Sequence, residues 1–268
     1  MVFGHAGVAI PSKERMNISW NRSPKDKVVT ISWNEKTGWR SYAKSIVKHI
    51  EKKTKKPIFG TISIENELPL GKGMGSSTAL VIGLVKLLVS DEKKQKKIAL
   101  DIEDMVNPGH SGMDFAAIWE GKPILYRKGK KTTTFDLSPK ILQRLSLIDT
   151  GMPGEPTKKL VAWMKKRHET TAAIQKAVAT IAECTTSILN GVTLEEVMKA
   201  HHRAQVKLGI VPKKTRELIA ALERKGHSAK VIGAGARTGG GGMVLILRKE
   251  TIIERMKNMF DGILRSAD

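Results

Sequence analysis

Cysteine is almost missing from this sequence of 268 residues, in which Cys184 is the single example. One thiol excludes an internal disulfide and any metal site built from several cysteines. Aromatic residues make up only 4% of the chain, so a surface on which single-stranded bases could stack is poorly supplied. The longest apolar run covers residues 79–89 and contains Lys86, and it is about half as long as a membrane span. We therefore expect no membrane span.

Negative charge is also in short supply, because 26 acidic residues stand against 47 basic ones and leave a net charge of +21. A field of this sign attracts anions. The basic residues are spread through several stretches rather than gathered in one tail, which is typical of solvated surface. We expect nucleotide phosphates or a small anionic substrate to use this field, and we do not expect a dedicated nucleic-acid role. The opening residues show no secretory signal, which favours a cytoplasmic protein.

The order of the patterns predicts a chain that mixes strands and helices. Residues 28–33 and 58–65 alternate and are rich in β-branched side chains, which predicts two strands with a helix between them. Residues 77–89 are apolar on nearly every face, as in a buried helix. Later segments predict a polar loop at 107–114, strands near 123–126, 132–135 and 145–148, mainly helices from 156 onward, two strands in 228–249, and a last helix at about 251–264. We expect an α+β protein of two closely packed halves.

A glycine-rich stretch, PLGKGMGSSTAL at residues 69–80, stands directly ahead of the predicted buried helix. A helix that begins at Ser76 or Ser77 offers unpaired backbone N–H groups and the positive end of its dipole, which together form an anion site. Three glycines would let the preceding backbone approach a phosphate closely, namely Gly71, Gly73 and Gly75. The spacing fits neither a Walker loop nor a dinucleotide-binding fingerprint. A tight turn with serine caps and no ligand is the alternative that these residues leave open.

Together with its proline, the stretch resembles the central phosphate-binding motif of the GHMP kinases, with Met74 in place of the usual leucine. Further stretches resemble later segments of the family, in the order seen in its mevalonate kinase branch. They are NPGHSGMDFAAIWEGKPILYRKG, LIDTGMPGEPTKKLV, LEEVMKAHHRAQVKLGIVPKKTRELI and the glycine-rich AKVIGAGARTGGGGMVLIL. The resemblance covers residues 60–248 and, more weakly, the stretch VFGHAGVAIP near the start.

The resemblance implies an α+β GHMP kinase fold, with a ribosomal-S5-domain-2-like N-terminal half at residues 1–142 and a ferredoxin-like C-terminal half at 143–268. It implies ATP- and Mg²⁺-dependent phosphorylation of a small anionic alcohol. Mevalonate, converted to 5-phosphomevalonate in isoprenoid precursor synthesis, is the favoured acceptor. A related kinase for phosphomevalonate, homoserine or a sugar is the first alternative. The second is a catalytically impaired basic protein of this fold that binds RNA or a partner, and a homodimer is possible in each case.

The same resemblance implies roles for individual residues. Asp114 would be the base that takes the hydroxyl proton, and Ser77 and Glu103 would coordinate Mg²⁺, with Asp101 as the alternative to Glu103. The ATP phosphates would be bound by the glycine-rich loop and the start of the helix, namely Gly71, Lys72, Gly73, Met74, Gly75, Ser76, Ser77 and Thr78. The acceptor would contact Asp114, His5 and a second glycine-rich segment that contains Gly233, Ala234 and Gly235.

The sequence also departs from the family pattern. Such kinases usually carry a lysine just ahead of the first-motif glycine, and none precedes Gly4. We expect Lys13 or Lys72 to supply the cation, the natural start to lie further upstream, or the activity to be reduced. The third motif is lengthened, and its Arg237 would either contact a phosphate or remain a solvated side chain.

Overall fold

The structure is a computed structural model in which residues 3–34 and 38–250 are described. The chain forms two compact units, which divide between Asp136 and Leu137. Both units contain strands and helices, as expected for the α+β class, whereas the expected domain boundary after residue 142 stays a prediction. The helix expected at 251–264 lies outside the described residues, as does the first residue of the weak N-terminal match. Within the described ranges, no helix is long and apolar enough to cross a membrane.

The first unit contains two small sheets. One has β4 (Gly60–Asn66) at its centre, with β2 (Met16–Arg22) antiparallel on one side and β3 (Val29–Trp33) parallel on the other. The second is antiparallel, in the order β1 (Gly7–Ala9), β5 (Ile124–Tyr126) and β6 (Thr133–Thr134). The helices of this unit are α1 (Trp39–Thr54), α2 (Ser76–Leu88), α3 (Glu92–Val106) and α4 (Met113–Glu120).

Apolar spacing explains why these segments fold as they do. Helix α1 buries Ala43, Ile46, Val47 and Ile50, one face at helical spacing. Helix α2 is buried on nearly every side, as its sequence predicts. Strand β2 passes so close to α2 that a Cβ built on Gly83 would lie 2.7 Å from the Ile18 Cδ1 atom. A glycine at this helical position therefore allows the sheet to pack against α2.

Helices α1 and α3 lie side by side and run in opposite directions. Near one end, Asn107, the residue that ends α3, lies within hydrogen-bond distance of Tyr42 in the first turn of α1. Towards the other end, the Lys53 ammonium group pairs with the Asp101 carboxylate at 2.6 Å. This arrangement brings the end of α3 close to the start of α2, where Asn107 also reaches Ser77.

One sequence-based prediction is wrong at Asp114, the residue predicted to be the catalytic base. The stretch NPGHSGMD indicates a polar loop through Asp114, but α4 begins at Met113, so Asp114 lies in the first turn of a helix. Gly112 ends the loop with a φ of +83° and forms the N-cap of α4. The helix has only eight residues, which is too short for apolar periodicity to stand out.

The second unit has one antiparallel sheet, in the order β7 (Leu145–Asp149), β9 (Met243–Leu247) and β8 (Ser228–Val231). Its helices are α5 (Pro139–Arg144), α6 (Thr157–Thr170), α7 (Ala172–Leu189), α8 (Leu194–Leu208) and α9 (Lys213–Arg224). A core of this unit forms from Val211, Ile219, Ala229, Val231, Val244 and Ile246. The strands and the helical character expected beyond residue 145 are therefore confirmed.

Candidate active site

The glycine-rich stretch forms a loop that ends at the first turn of α2. Its three glycines have positive φ angles of 71° at Gly71, 84° at Gly73 and 67° at Gly75, a backbone region that other residues rarely adopt. Gly75 is the N-cap of α2, and among the described residues no side chain caps the helix there. The Ala79 N–H donates to the Gly75 carbonyl at 2.9 Å. By helix geometry the N–H groups ahead of Ala79 have no intrahelical partner and can bind an anion.

Ser76 holds the loop against the helix. Its side chain is buried, and its Oγ accepts a hydrogen bond from the Gly71 N–H at 3.4 Å. Lys72 and Met74 lie half-buried in the same loop. The predicted phosphate-binding residues are therefore contiguous in space as well as in sequence.

Asp114 lies directly beside this loop. A Cβ built on Gly75 would lie 3.4 Å from the Asp114 Cβ and 3.5 Å from its Cγ, and 3.3 Å from the Ile118 Cδ1. Tyr126 fixes the turn ahead of α4, because its hydroxyl donates to the Ser111 carbonyl at 2.9 Å and closely covers Gly112. The structure thus brings a carboxylate to the point where α2 begins.

The surroundings of Asp114 favour its protonated form. The protein around the side chain withdraws solvent from it and so raises the pKa of the carboxyl group, and the negative charge of Glu103 raises this pKa further. The charge of His110 acts in the opposite direction. Asp114 is nevertheless exposed on one side, so a reacting group can reach it. A carboxylate whose pKa is raised in this way is a stronger proton acceptor than an ordinary aspartate.

Glu103 is the buried acidic residue of the site, with 1% of its surface exposed. Its Oε1 accepts hydrogen bonds from the Thr78 hydroxyl at 2.7 Å and from the Asn107 amide at 3.0 Å. Its Oε2 is buried and has no hydrogen-bond partner among the described residues. A buried carboxylate oxygen without a partner is costly, so it is a position at which a cation or a water molecule can bind.

Asn107 connects Glu103 to the phosphate loop. Its Nδ2 lies 3.4 Å from the Ser77 Oγ and 3.2 Å from the Tyr42 hydroxyl, in addition to its contact with Glu103. The pKa of Tyr42 is raised to about 12, mainly by burial and also by the charge of Glu103, against the opposing effect of the hydrogen bond from Asn107. Tyr42 is therefore a neutral phenol at this site.

The residues around Ser77 and Glu103 fit a magnesium ion. A hydroxyl oxygen and a carboxylate oxygen are hard donors of the kind that Mg²⁺ prefers, and Mg²⁺ usually takes one or two carboxylates together with substrate phosphates and water. Among the described residues no group of three or more His, Cys, Asp or Glu side chains could hold a metal by itself. Asp101, the alternative to Glu103, instead forms an ion pair with Lys53 at 2.6 Å.

The other residues predicted for the first unit lie nearby in the fold but make fewer contacts. His5 is exposed two positions ahead of β1, the strand that packs beside α4. Lys13, a candidate for the missing cation, is also exposed. The predicted roles of His5 and Lys13 remain predictions.

In the second unit, the predicted acceptor residues belong to a tightly built loop. Gly233 and Gly235 have positive φ angles, and Gly235 packs closely on the Ile210 carbonyl. Ala234 lies in the turn between these two glycines. The roles predicted for the three residues in binding the acceptor stay predictions.

The loop that follows is joined to the segment after β7, because the Gly154 N–H donates to the Thr238 carbonyl at 2.9 Å. Arg237 binds Glu155 through its Nε at 2.8 Å and its Nη2 at 2.5 Å, and its guanidinium group stacks on Trp163 at 4.7 Å. Arg237 is therefore neither simply solvated nor available to a phosphate without breaking this pair.

Two residues of the site are absent from the sequence-based prediction. Asn107 ends a lysine-rich helix, and Tyr42 is one of several residues on the apolar side of α1. Asn107 contacts Ser77 and Tyr42, which lie 30 and 65 positions away along the chain, and Glu103, which lies four positions away. A local signal does exist for Asn107, because it lies four positions after Glu103 and such residues are neighbours on a helix.

The comparisons with known proteins agree on one family. The family model for the GHMP kinases N terminal domain matches residues 41–122. The mevalonate kinase of Pyrococcus furiosus is 33% identical over an alignment of 213 positions, which covers 72% of this chain and 61% of that protein. The chain thus spans less than two thirds of the length of this relative.

Solved structures show the same fold. The crystal structure of the Methanococcus jannaschii mevalonate kinase is similar with a TM-score of 0.75 and 16% identity, over 98% of this chain and 89% of that one. The L. major mevalonate kinase, solved in complex with R-mevalonate, is similar with a TM-score of 0.70 and 18% identity, over 95% of this chain and 84% of that one. The expected GHMP kinase fold is confirmed.

Proposed function

The chain belongs to the GHMP kinase superfamily, and we propose that it is a small-molecule kinase that uses ATP and Mg²⁺ to phosphorylate the hydroxyl group of mevalonate. The observation that carries this proposal is the contact between Asp114 and Gly75. It sets a carboxylate of raised pKa beside a helix start that can bind a phosphate. Phosphoryl transfer to an alcohol needs these two parts close together.

The choice of mevalonate is supported by the relatives. The P. furiosus protein that shares 33% identity with this chain is a mevalonate kinase. Mevalonate is an anion, as is ATP, and a chain with a net charge of +21 attracts both. The acceptor-binding roles of His5, Gly233, Ala234 and Gly235 are part of this proposal.

Each step of the reaction has a residue that can perform it. The N–H groups at the start of α2, from Ser76 to Thr78, bind the phosphates of ATP, and the positive φ angles of the preceding glycines let the backbone approach them. The acceptor oxygen bonds to the γ-phosphorus, the bond from this phosphorus to the bridging oxygen of ADP breaks, and the hydroxyl proton moves to Asp114. The alcohol loses its proton late, when its bond to phosphorus has already lowered its pKa.

Ser77 and Glu103 would hold the magnesium ion. When bound, Mg²⁺ neutralises negative charge on the transferred and leaving phosphates. Thr78 has a structural part here, because its hydroxyl donates to Glu103 at 2.7 Å. Its backbone N–H remains a candidate hydrogen-bond donor to the phosphates of ATP.

The proposal is tested with the full chain, Mg·ATP and a panel of alcohols, by following the release of ADP. The panel contains mevalonate, phosphomevalonate, homoserine and galactose. We expect turnover with mevalonate, and we expect Asp114→Asn to reduce it by about 10²–10⁴-fold because the base is lost. Asp26→Asn, which changes an exposed aspartate in a turn ahead of β3, is the matched control and should keep its activity.

The other outcomes distinguish the alternatives. Turnover with a different member of the panel would keep the kinase and replace its substrate. A folded chain that releases no ADP with any alcohol would overturn the kinase proposal. Tight, salt-sensitive RNA binding in that case would favour the non-catalytic alternative.

A further inference from the structure

Asn107 stands between the two residues proposed to hold Mg²⁺. Its amide nitrogen lies 3.0 Å from Glu103 Oε1 and 3.4 Å from Ser77 Oγ. We propose that Asn107 is a positioning residue, which orients both ligands towards a divalent cation, and that Tyr42 in turn holds Asn107. This inference rests on the proposed kinase function, because the cation belongs to that reaction.

Hydrogen bonding fixes the orientation of the Glu103 carboxylate. Oε1 accepts from both Thr78 and Asn107, at 2.7 and 3.0 Å. Oε2 is equally buried but receives no hydrogen bond from any described residue. The two donors therefore prevent the carboxylate from turning and leave one defined oxygen for a cation or a cation-bound water.

The chemistry of the amide suits this position. An amide nitrogen carries two hydrogens and no charge, so Asn107 can donate to the ligands without competing electrostatically with a cation. Three acceptors lie around this nitrogen and share its two hydrogens, namely Glu103, Tyr42 and Ser77 at 3.0, 3.2 and 3.4 Å. When Ser77 Oγ accepts from the amide at 3.4 Å, one of its lone pairs is used and the other remains for the metal. A lysine or arginine at position 107 would instead neutralise Glu103 and displace the ion.

Tyr42 gives the same amide nitrogen a further partner. Its hydroxyl lies 3.2 Å from the Asn107 nitrogen. Its ring stands edge-on to Trp39, with centroids 5.6 Å apart, and Trp39 contacts Trp33 in the same way at 6.1 Å. Because aromatic packing holds the ring, the hydroxyl is a rigid point that limits the rotation of the Asn107 side chain. The network joins α1, α2 and α3 at the phosphate-binding end of the unit.

The experiment measures metal binding and nucleotide binding separately. Mn²⁺ affinity for the complex with AMP-PNP is measured by electron paramagnetic resonance, and AMP-PNP affinity in EDTA by calorimetry. The variants are Asn107→Ala, Tyr42→Phe and the double variant. The control is Asn190→Ala, because Asn190 also ends a helix, α7 in the second unit. Thermal denaturation shows that each variant folds.

We expect Asn107→Ala to weaken Mn²⁺ binding by about tenfold or more, the size typical for partners that orient metal ligands. The affinity of Asn107→Ala for AMP-PNP in EDTA should equal that of the original chain. The control Asn190→Ala should match the original chain in both measurements. Tyr42→Phe should weaken Mn²⁺ binding less, and it should add nothing once Asn107 is gone, since the two act through one hydrogen bond.

Two results would overturn the inference. One is unchanged Mn²⁺ affinity in Asn107→Ala. The other is an equal loss of metal-free nucleotide affinity, which would make the residue merely structural. A chain that phosphorylates no alcohol but still loses Mn²⁺ affinity through Asn107→Ala would contradict the proposed function and support the positioning role. A chain that binds no Mn²⁺ would contradict both.

Discussion

Asp114 packs its side chain against the backbone of Gly75, 39 positions earlier in the sequence, so that a Cβ on this glycine would lie 3.4 Å from the aspartate Cβ. The contact joins the start of α2 to the first turn of α4. It places the proposed base next to the position that an anion bound by α2 would occupy. The glycine is needed twice, for its φ of 67° and for the space that it leaves to Asp114.

Gly75→Ala should therefore harm both stability and turnover. The strained backbone should cost about 1 kcal/mol of unfolding free energy, and a displaced Asp114 should lower kcat by about a hundredfold. Gly129→Ala is the matched control, because Gly129 has a φ of 77° and a Cβ added to it would meet no heavy atom within 4 Å. Gly129→Ala should lose about as much unfolding free energy as Gly75→Ala, measured by urea denaturation, but it should keep the original kcat. Equal kcat values for the two variants would show that the contact with Asp114 has no role in turnover.

The identity of the acidic metal ligand can be decided by a pair of variants. Glu103→Gln removes the charge of the buried carboxylate, so the Mg²⁺ concentration for half-maximal activity should rise by about tenfold or more. Asp101→Asn removes an exposed partner of Lys53 and should leave this concentration unchanged. Activity is measured against free Mg²⁺ at saturating ATP. The opposite pattern would make Asp101 the ligand.

The pH dependence of the reaction should reflect the environment of Asp114. The base acts only when ionised, so kcat/KM should fall as the pH drops through its pKa, which desolvation by the surrounding protein and the charge of Glu103 raise above the ordinary value. His110 opposes this rise. His110→Gln should therefore raise the pKa further and move the acidic limb of the profile to higher pH.

The control for this profile is His49→Gln on α1, which should leave the acidic limb in place. His110 also bonds to Asp104 at 2.8 Å, so a thermal denaturation curve is needed to show that the loop ahead of α4 is intact. A shift of the limb to lower pH in His110→Gln would contradict the assignment of the limb to Asp114.

The sequence alone allowed the prediction of elements with strong local signals. Helix α2 was predictable because residues 77–89 are almost wholly apolar, and the preceding glycines indicated a loop that needs positive φ angles. Strands β3 and β4 were predictable because β-branched residues alternate in them. The family resemblance added Asp114, Ser77 and Glu103, whose arrangement the structure describes and whose roles stay predictions.

Other features depend on contacts that no local pattern records. Strand β2 was not predicted, although Met16, Ile18 and Trp20 alternate with polar residues in it. Asparagine is depleted in strands, and pairing with β4 stabilises the segment. The first two residues of α4 were assigned to a loop, and the rest of the helix was not predicted, because glycine, serine and proline precede it closely. The contact between Asn107 and Tyr42 forms only because α1 and α3 lie antiparallel, which is a property of tertiary packing.

The most direct test of the account is a crystal structure of the chain with Mg²⁺ and AMP-PNP. We expect the triphosphate on the N–H groups that open α2, and the γ-phosphorus within about 6 Å of the Asp114 carboxylate, close enough for an acceptor hydroxyl to bridge them. A nucleotide bound elsewhere, or a terminal phosphorus well beyond the reach of Asp114 through one hydroxyl, would contradict the proposed kinase mechanism.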